Sequence, residues 1–180
     1  MPLRVKKWPR IIPITGMFLI ITTHLTAQNT MFREEFTPMW NRVRAYTLEV
    51  ARAMPEKKYD YRPAPDAMSF GEQMQHIAGN LYSLNSRFVK VTANPFKPTS
   101  DTMDKKAIIE TLITAFDYVK VTLDTVTDKQ VKETVTLFTG DVFKKERIFY
   151  LMKDHTTHHR AQCIVYLRLN GISPPKFRGW

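Results

Sequence analysis

One cysteine in 180 residues, Cys163, excludes an internal disulfide framework and every multi-cysteine metal site. Any metal would be held by histidine or carboxylate. Glycine and proline are modest, at 6 and 11 residues, and hydrophobic residues make up 43%; with no repeat period, that describes one ordinary globular domain, not an array or a disordered chain. A chain this long buries roughly two-thirds of its unfolded surface, so it needs neither disulfides nor a structural metal merely to fold. Nor is there a run of ~20 uninterrupted apolar residues, which excludes a polytopic membrane protein.

Acidic residues are missing from the start of the chain, where Arg4, Lys6, Lys7 and Arg10 precede an apolar run from Ile11 to Ile21 and then small Ala27. A positive segment, a short hydrophobic segment and a small residue at the cut are the marks of a secretory signal peptide. Pro13 and Gly16 weaken a persistent helix there, and the run is short for a membrane span. No Cys follows it, which argues against a lipid anchor. The expected division is a signal peptide at 1–27 and one domain at 28–180, exported to the periplasm or beyond, with no membrane anchor after cleavage. Cleavage removes four of the 27 Lys+Arg and none of the 17 Asp+Glu, so the formal charge falls from +10 to +6. The remaining pairs Lys57-Lys58, Lys105-Lys106 and Lys144-Lys145 form no common stripe, and no basic face with interleaved aromatics is visible, so nucleic acid is not an expected partner.

Four stretches carry helical periodicity. Phe32, Phe36, Met39/Trp40, Val43, Thr47, Val50 and Met54 recur in threes and fours, and Pro55 ends the pattern. The prolines at 55, 63 and 65 make the next segment a loop. Ser69 and Glu72 form a capping box ahead of Phe70, Met74, Ile77, Leu81, Leu84, Phe88 and Val91, and Asn94-Pro95 stops that helix. A third helix starts near Asp104 and repeats Ile109, Leu112, Phe116, Val119, Leu123 and Val126. A strand-like piece at Val135 to Phe138 and a turn at Thr139-Gly140-Asp141 follow. The fourth helix runs from about Val142 to Asn170, with Ile148, Met152, His155, His159, Cys163 and Tyr166/Leu167 on one stripe, closed by Gly171 and Pro174-Pro175. The economical architecture is an all-α four-helix bundle.

Histidine is scarce and clustered. Apart from His24, the chain has only His76, His155, His158 and His159. His155 and His159 are separated by about 40° and one turn, so both can point at one ion. They take places on the stripe where Leu or Ile is expected. Burying two unpartnered imidazoles costs roughly 1–3 kcal/mol each, which hydrogen bonds within the core or a bound metal would offset. His158 lies about 100° from His159 and should face a partner of the ligands or a helix end. His76 sits on a polar flank of the second helix with Gln73, Asn80 and Ser83, at the edge of the core. Where that edge meets the fourth helix, three imidazoles from two helices converge and Gln73 and Asn80 line the opening.

Three protein ligands with one position left for water suit a catalytic metal. Imidazole admits zinc, nickel and iron, with manganese behind them. A zinc-protease helix requires Glu after its first His, and Thr156 stands there. Glu72 is a candidate base, although capping already accounts for it. Asp154 either orients a ligand imidazole or is solvated. Cys163 reads as core.

The string from Asp154 through His155, Thr156, Thr157, His158, His159, Arg160, Ala161 and Gln162, continuing from Tyr166 to Pro175, resembles the last helix of the DinB/YfiT-like superfamily. Ser69-Phe70-Gly71-Glu72 followed by His76, and Tyr61-Arg62-Pro63-Ala64 before it, resemble the same family, over about residues 30 to 175. The resemblance implies a four-helix bundle, often a homodimer, with a divalent metal on His76, His155 and His159. The family usually has Gly where Ala161 stands. Its members with known activity are cytoplasmic transferases or isomerases using low-molecular-weight thiols, whereas this chain begins with an export signal. Two functions are therefore expected in order. The first is a metal-dependent hydrolase or transferase acting on a small molecule; the second is a non-catalytic metal-binding or oligomerising bundle.

Overall fold

A computed structural model of the chain describes residues 17–89 and 104–179, with side chains from Phe32 onward. The expected signal peptide therefore lies outside the described residues through residue 16, and the rest of it falls in the first turns of a helix. The elements are α1 (Met17–Ala53), α2 (Phe70–Leu84), α3 (Lys105–Thr125), the short α4 (Asp128–Lys132), strands β1 (Thr134–Thr136) and β2 (Val142–Lys144), and α5 (Lys145–Leu169). The four long helices pack in a ring of neighbours, α1 on α3, α3 on α2, α2 on α5 and α5 on α1. No helix among the described residues is long and apolar enough to cross a membrane.

The apolar periods account for the packing. On α1, Phe36, Trp40, Val43, Thr47, Val50 and Met54 are buried as the spacing requires, and the helix stops two residues before Pro55. Phe36 and Trp40 stack 5.9 Å apart, Phe36 meets Phe149 of α5 edge-on, and the Trp40 indole N–H donates to the Phe116 carbonyl of α3 at 3.3 Å. This aromatic column ties three helices together. Helix α2 opens on the capping box: Ser69 Oγ accepts from Glu72 N at 3.2 Å, and Glu72 Oε2 accepts from Ser69 N at 2.7 Å. Gly71 lets α2 approach its neighbours, since a Cβ there would stand 3.3 Å from both Ile108 Cδ1 and the Tyr59 carbonyl oxygen.

Four expectations need correction. The second helix does not continue as α-helix beyond Leu84: residues Asn85–Val89 form a wider π turn, which turns Asn85 and Val89 inward and leaves Phe88 half-buried. The Asn85 amide then donates to Thr122 Oγ1 at 2.8 Å. The expected continuation to Val91 and the stop at Asn94-Pro95 lie outside the described residues. In α3 the inward residue is Ile108, with Ile109 only partly buried, because the stripe fixed by Leu112, Phe116 and Val119 extends back in a step of four.

The third correction concerns the link between α3 and α5. It contains α4, whose N-terminus is capped by Thr127 and Gln130, and the strand-like piece is half of an antiparallel hairpin that pairs Val135 with Phe143. Gly140 turns that hairpin at φ +88°, and Val142 to Lys144, expected as helix, are its second strand. The fourth is the inner stripe of α5, which runs Ile148, Met152, Thr156, Arg160, Cys163 and Leu167. His155 and His159 sit one position off it and are half-buried rather than central. At its far end, Gly171 N bonds the Arg168 carbonyl and Ile172 N the Leu167 carbonyl, both at 2.9 Å. With Gly171 at φ +71°, this is the left-handed closure that glycine favours.

Candidate metal centre

The flank of α5 that carries His155 and His159 faces the flank of α2 that carries His76. His76 and Gln73 are three residues apart on α2 and His155 and His159 four apart on α5, so each pair shares a face. Where the two faces meet, His76 Nε2 stands 3.1 Å from His155 Nε2. The ring centroids of the three imidazoles are 4.4 to 4.9 Å apart. One nitrogen from each ring lies within 4.8 Å of the others, an arrangement that can hold a metal ion.

The chemistry of the donors fits a divalent ion. Imidazole nitrogens held ~2.0–2.1 Å from one tetrahedral ion stand about 3.3 Å apart, so small rotations of these rings would suffice. Gln73, 3% exposed, places its side-chain oxygen 2.6 Å from His159 Nδ1. An amide oxygen only accepts, so His159 carries its proton on Nδ1 and keeps the Nε2 lone pair free for a metal. The His155 Nδ1 is buried without a hydrogen-bond partner among the described residues, and the ring's Nε2 faces only His76. Burial, followed by the neighbouring imidazoles, pulls both His155 and His159 down to about 4. At neutral pH both are uncharged bases, the form in which imidazole ligates metal.

Around this group the expected outer residues separate. Gln73 is the one that grips an imidazole, and its Nε2 donates onward to Gln162 Oε1 and, at 3.4 Å, to the Tyr166 hydroxyl. Tyr166 in turn donates to the Met68 carbonyl at 3.1 Å. His158 is exposed; its Nε2 accepts from Gln162 Nε2 at 2.8 Å, and its ring lies edge-on to His159. It therefore reaches the cluster only through Gln162 and ring contact. Asn80 is partly buried with Oδ1 unpartnered, so that oxygen makes no hydrogen bond to the imidazoles. Asp154 is exposed and pairs with Lys153 beside it, so it orients no ligand. Glu72 is held by Ser69 N and by Arg62, which lower its pKa; it stays at the helix start as a cap. Cys163 is buried in the core, and burial pushes its thiol up.

Sequence reasoning missed Gln162 and Tyr166 as supports of Gln73. The available signal was spacing: Gln162 stands three residues after His159 and four after His158, and Tyr166 four further on. Their shared partner on another helix is visible only in the fold.

Comparisons with known proteins bear on the family and the fold. The sequence model of the DinB superfamily matches residues 39–163, a span that contains all three imidazoles. The chain is 24% identical over 133 residues to YjoA of Bacillus subtilis (strain 168), described as an uncharacterized protein, across 71% of this chain and 84% of that one. The crystal structure of that DinB-like protein superposes with a TM-score of 0.66 at 22% identity, over 79% of this chain and 96% of the other. A DinB-like protein from Bacillus cereus gives 0.66 at 17% identity, over 81% and 97%. At these identities the structural likeness carries the fold.

Proposed function

We propose a function that starts from membership: the chain belongs to the DinB superfamily, and it acts as a divalent-metal-dependent hydrolase or transferase on a small molecule. The observation that supports this most is the convergence of one nitrogen from each of His76, His155 and His159, with no fourth His, Cys, Asp or Glu in the group among the described residues. A structural ion normally has four protein ligands, whereas a catalytic one keeps a position for water or substrate. A divalent ion bound there would supply Lewis acidity to water or to a thiol.

The protein's own part is positional. Gln73 fixes the tautomer and direction of His159, and the half-buried His155 is held neutral. His76 is exposed, which leaves one side of the group open to an incoming molecule. Zinc, nickel and iron suit three imidazoles, with manganese behind them. The test is elemental analysis of the purified protein after reconstitution, repeated on His155→Ala and His158→Ala. About one ion per chain, lost with the first substitution and kept with the second, is the expected result; no ion in the parent with any of the four metals refutes the reading. A hydrolase and thiol-transferase screen on the loaded protein, with His155→Ala as the blank, then tests the activity.

The proposal extends to the setting. Residues 1–27 direct export and are removed, leaving a periplasmic or extracellular protein without a membrane anchor, and the domain pairs as a homodimer that does not engage nucleic acid. The intact mass and amino-terminal sequence of the expressed protein test the first point, and light scattering tests the second.

A further inference from the structure

On the other side of α5, between α1 and the C-terminal tail, lies a cavity of about 160 Å³ whose walls include Met39, Arg42, Val43, Lys153, Arg160 and Phe177. Arg160 is 7% exposed and occupies a place on the inner stripe of α5 where an aliphatic residue would be ordinary. Its guanidinium lies over the Tyr46 ring at 4.6 Å. It donates to the Val43 carbonyl at 3.4 Å, to Thr47 Oγ1 at 3.3 Å and to Thr157 Oγ1 at 3.4 Å. All three bonds are long and all three acceptors are neutral. Among the described residues no carboxylate pairs with it. A buried cation normally has an anionic partner, because neutral acceptors replace only part of its hydration.

The other cations of the cavity sharpen the imbalance. Lys153 is paired with Asp154, and Arg178 with Glu49. Arg42 has no ion-pair partner among the described residues. Two cations without an ion-pair partner among the described residues, one of them buried, thus border the space beside the paired Lys153 and Arg178 and the Thr157 hydroxyl, and Met39, Val43 and Phe177 form its apolar wall. At ~30 Å³ of liquid volume per water, the space holds roughly five water-sized groups, which sets the scale of what fits.

We propose that this cavity binds a small organic anion, its oxyanion head held by Arg160 and Arg42 and its short apolar arm packed against Met39, Val43 and Phe177. A guanidinium matches carboxylate and phosphate oxygens as a two-pronged donor, so either head is admitted. The site is separate from the imidazoles: on α5, Lys153, Thr157 and Arg160 lie roughly 150° around the helix from His155 and His159. It therefore stands whether or not a metal binds.

The test is calorimetric titration of the full-length protein with butanoate, butyl phosphate, inorganic phosphate and the uncharged butanamide. One site is expected for butanoate or butyl phosphate, with inorganic phosphate weaker for want of the arm and butanamide not binding. Arg42→Ala, at a half-exposed position that does not endanger folding, should weaken the anion about ten- to a hundred-fold. Arg160→Met should abolish binding, and His155→Ala should leave it unchanged. Anions that bind no tighter than butanamide, or that bind undiminished in both arginine variants, overturn the proposal; inorganic phosphate binding as tightly as the organic anions overturns the apolar arm.

Discussion

Replacing Gln73 with leucine separates what the amide does for the fold from what it does for the imidazoles. Its oxygen accepts from His159 Nδ1 at 2.6 Å and its nitrogen donates to Gln162, and leucine fills a similar volume with neither bond. Because His159 is half-buried, water can reach part of what is lost. The two bonds together should be worth about 1–2 kcal/mol, partly offset by the leucine's apolar burial. A net loss of about 1 kcal/mol lowers the Tm of the metal-free protein by roughly 2–4 °C for a chain of this size. The effect on metal is larger, since removing the group that orients a ligand imidazole typically weakens binding about 10- to 100-fold. With metal at a hundred times the parent's Kd, the parent gains about 2.7 kcal/mol on loading, and the variant at the same concentration gains only about 0.4 to 1.4. Differential scanning fluorimetry with and without metal reads both numbers on the same samples. Gln73→Glu keeps an acceptor for His159 Nδ1 and should retain most of the metal-induced increment. An increment in Gln73→Leu equal to the parent's would refute the tautomer-fixing role and, with it, the assignment of His159 Nε2 as a ligand.

Other outcomes follow from the same structure. His155 and His159 titrate near 6.5 when unfolded and at about 4 when folded, so the unfolded chain binds more protons between those values. Metal-free stability should therefore fall as pH is lowered from about 6.5 to 4. Full burial would make each shift worth about 3 kcal/mol, but the group is half open to solvent and screening leaves roughly 1 kcal/mol apiece. Urea midpoints at several pH values check it, and a midpoint that rises on acidification contradicts it. Trp40→Ala removes a fully buried ring and its bond to the Phe116 carbonyl, with an expected loss of about 3–5 kcal/mol in chemical denaturation; a loss under 1 kcal/mol would mean the aromatic column is not what joins α1, α3 and α5. Ser69→Ala should destabilise by about 1 kcal/mol through the lost cap, without altering metal content.

The helices were legible because their signals are local. Apolar steps of three and four mark the buried face of α1 almost residue by residue, Ser69 and Glu72 mark the start of α2, and Gly171 marks the end of α5. The hairpin was only half legible: Val135 to Phe138 is β-branched and aromatic enough to suggest one strand, but Val142 to Lys144 continues into a helical pattern, and only pairing with β1 makes it a strand. The π turn after Leu84 left no mark, since the stripe through Phe88 reads equally well as α-helix. At the site, the three imidazoles were legible by type and spacing, whereas Asp154 stood between two readings, of which the structure has the solvated one. Adjacency to His155 in sequence places it about 100° away on a helix, and there it meets Lys153.

The phase of α5 connects the two sites. A one-residue difference separates the inner stripe of Thr156 and Arg160 from the flank of His155 and His159, and periodicity alone does not resolve one residue on a helix with so few aliphatic side chains at its centre. Had the imidazoles taken the inner positions, closed packing would have surrounded them and any ion would have been sealed from substrate. On the flank they meet α2 at an open edge, with Gln73 buried behind them and His76 exposed in front. The inner stripe passes instead through Thr156, which satisfies itself on the Met152 carbonyl at 2.8 Å, and Arg160, which finds no matching charge among the described residues. The helix is thus polar at its middle on both sides, and the hydrophobic hold on it comes from its ends: Ile148, Phe149 and Met152 at one, Cys163, Tyr166 and Leu167 at the other. Burial at both ends fixes the rotation of the helix, and that rotation is what sets the imidazoles against His76 and the guanidinium against α1.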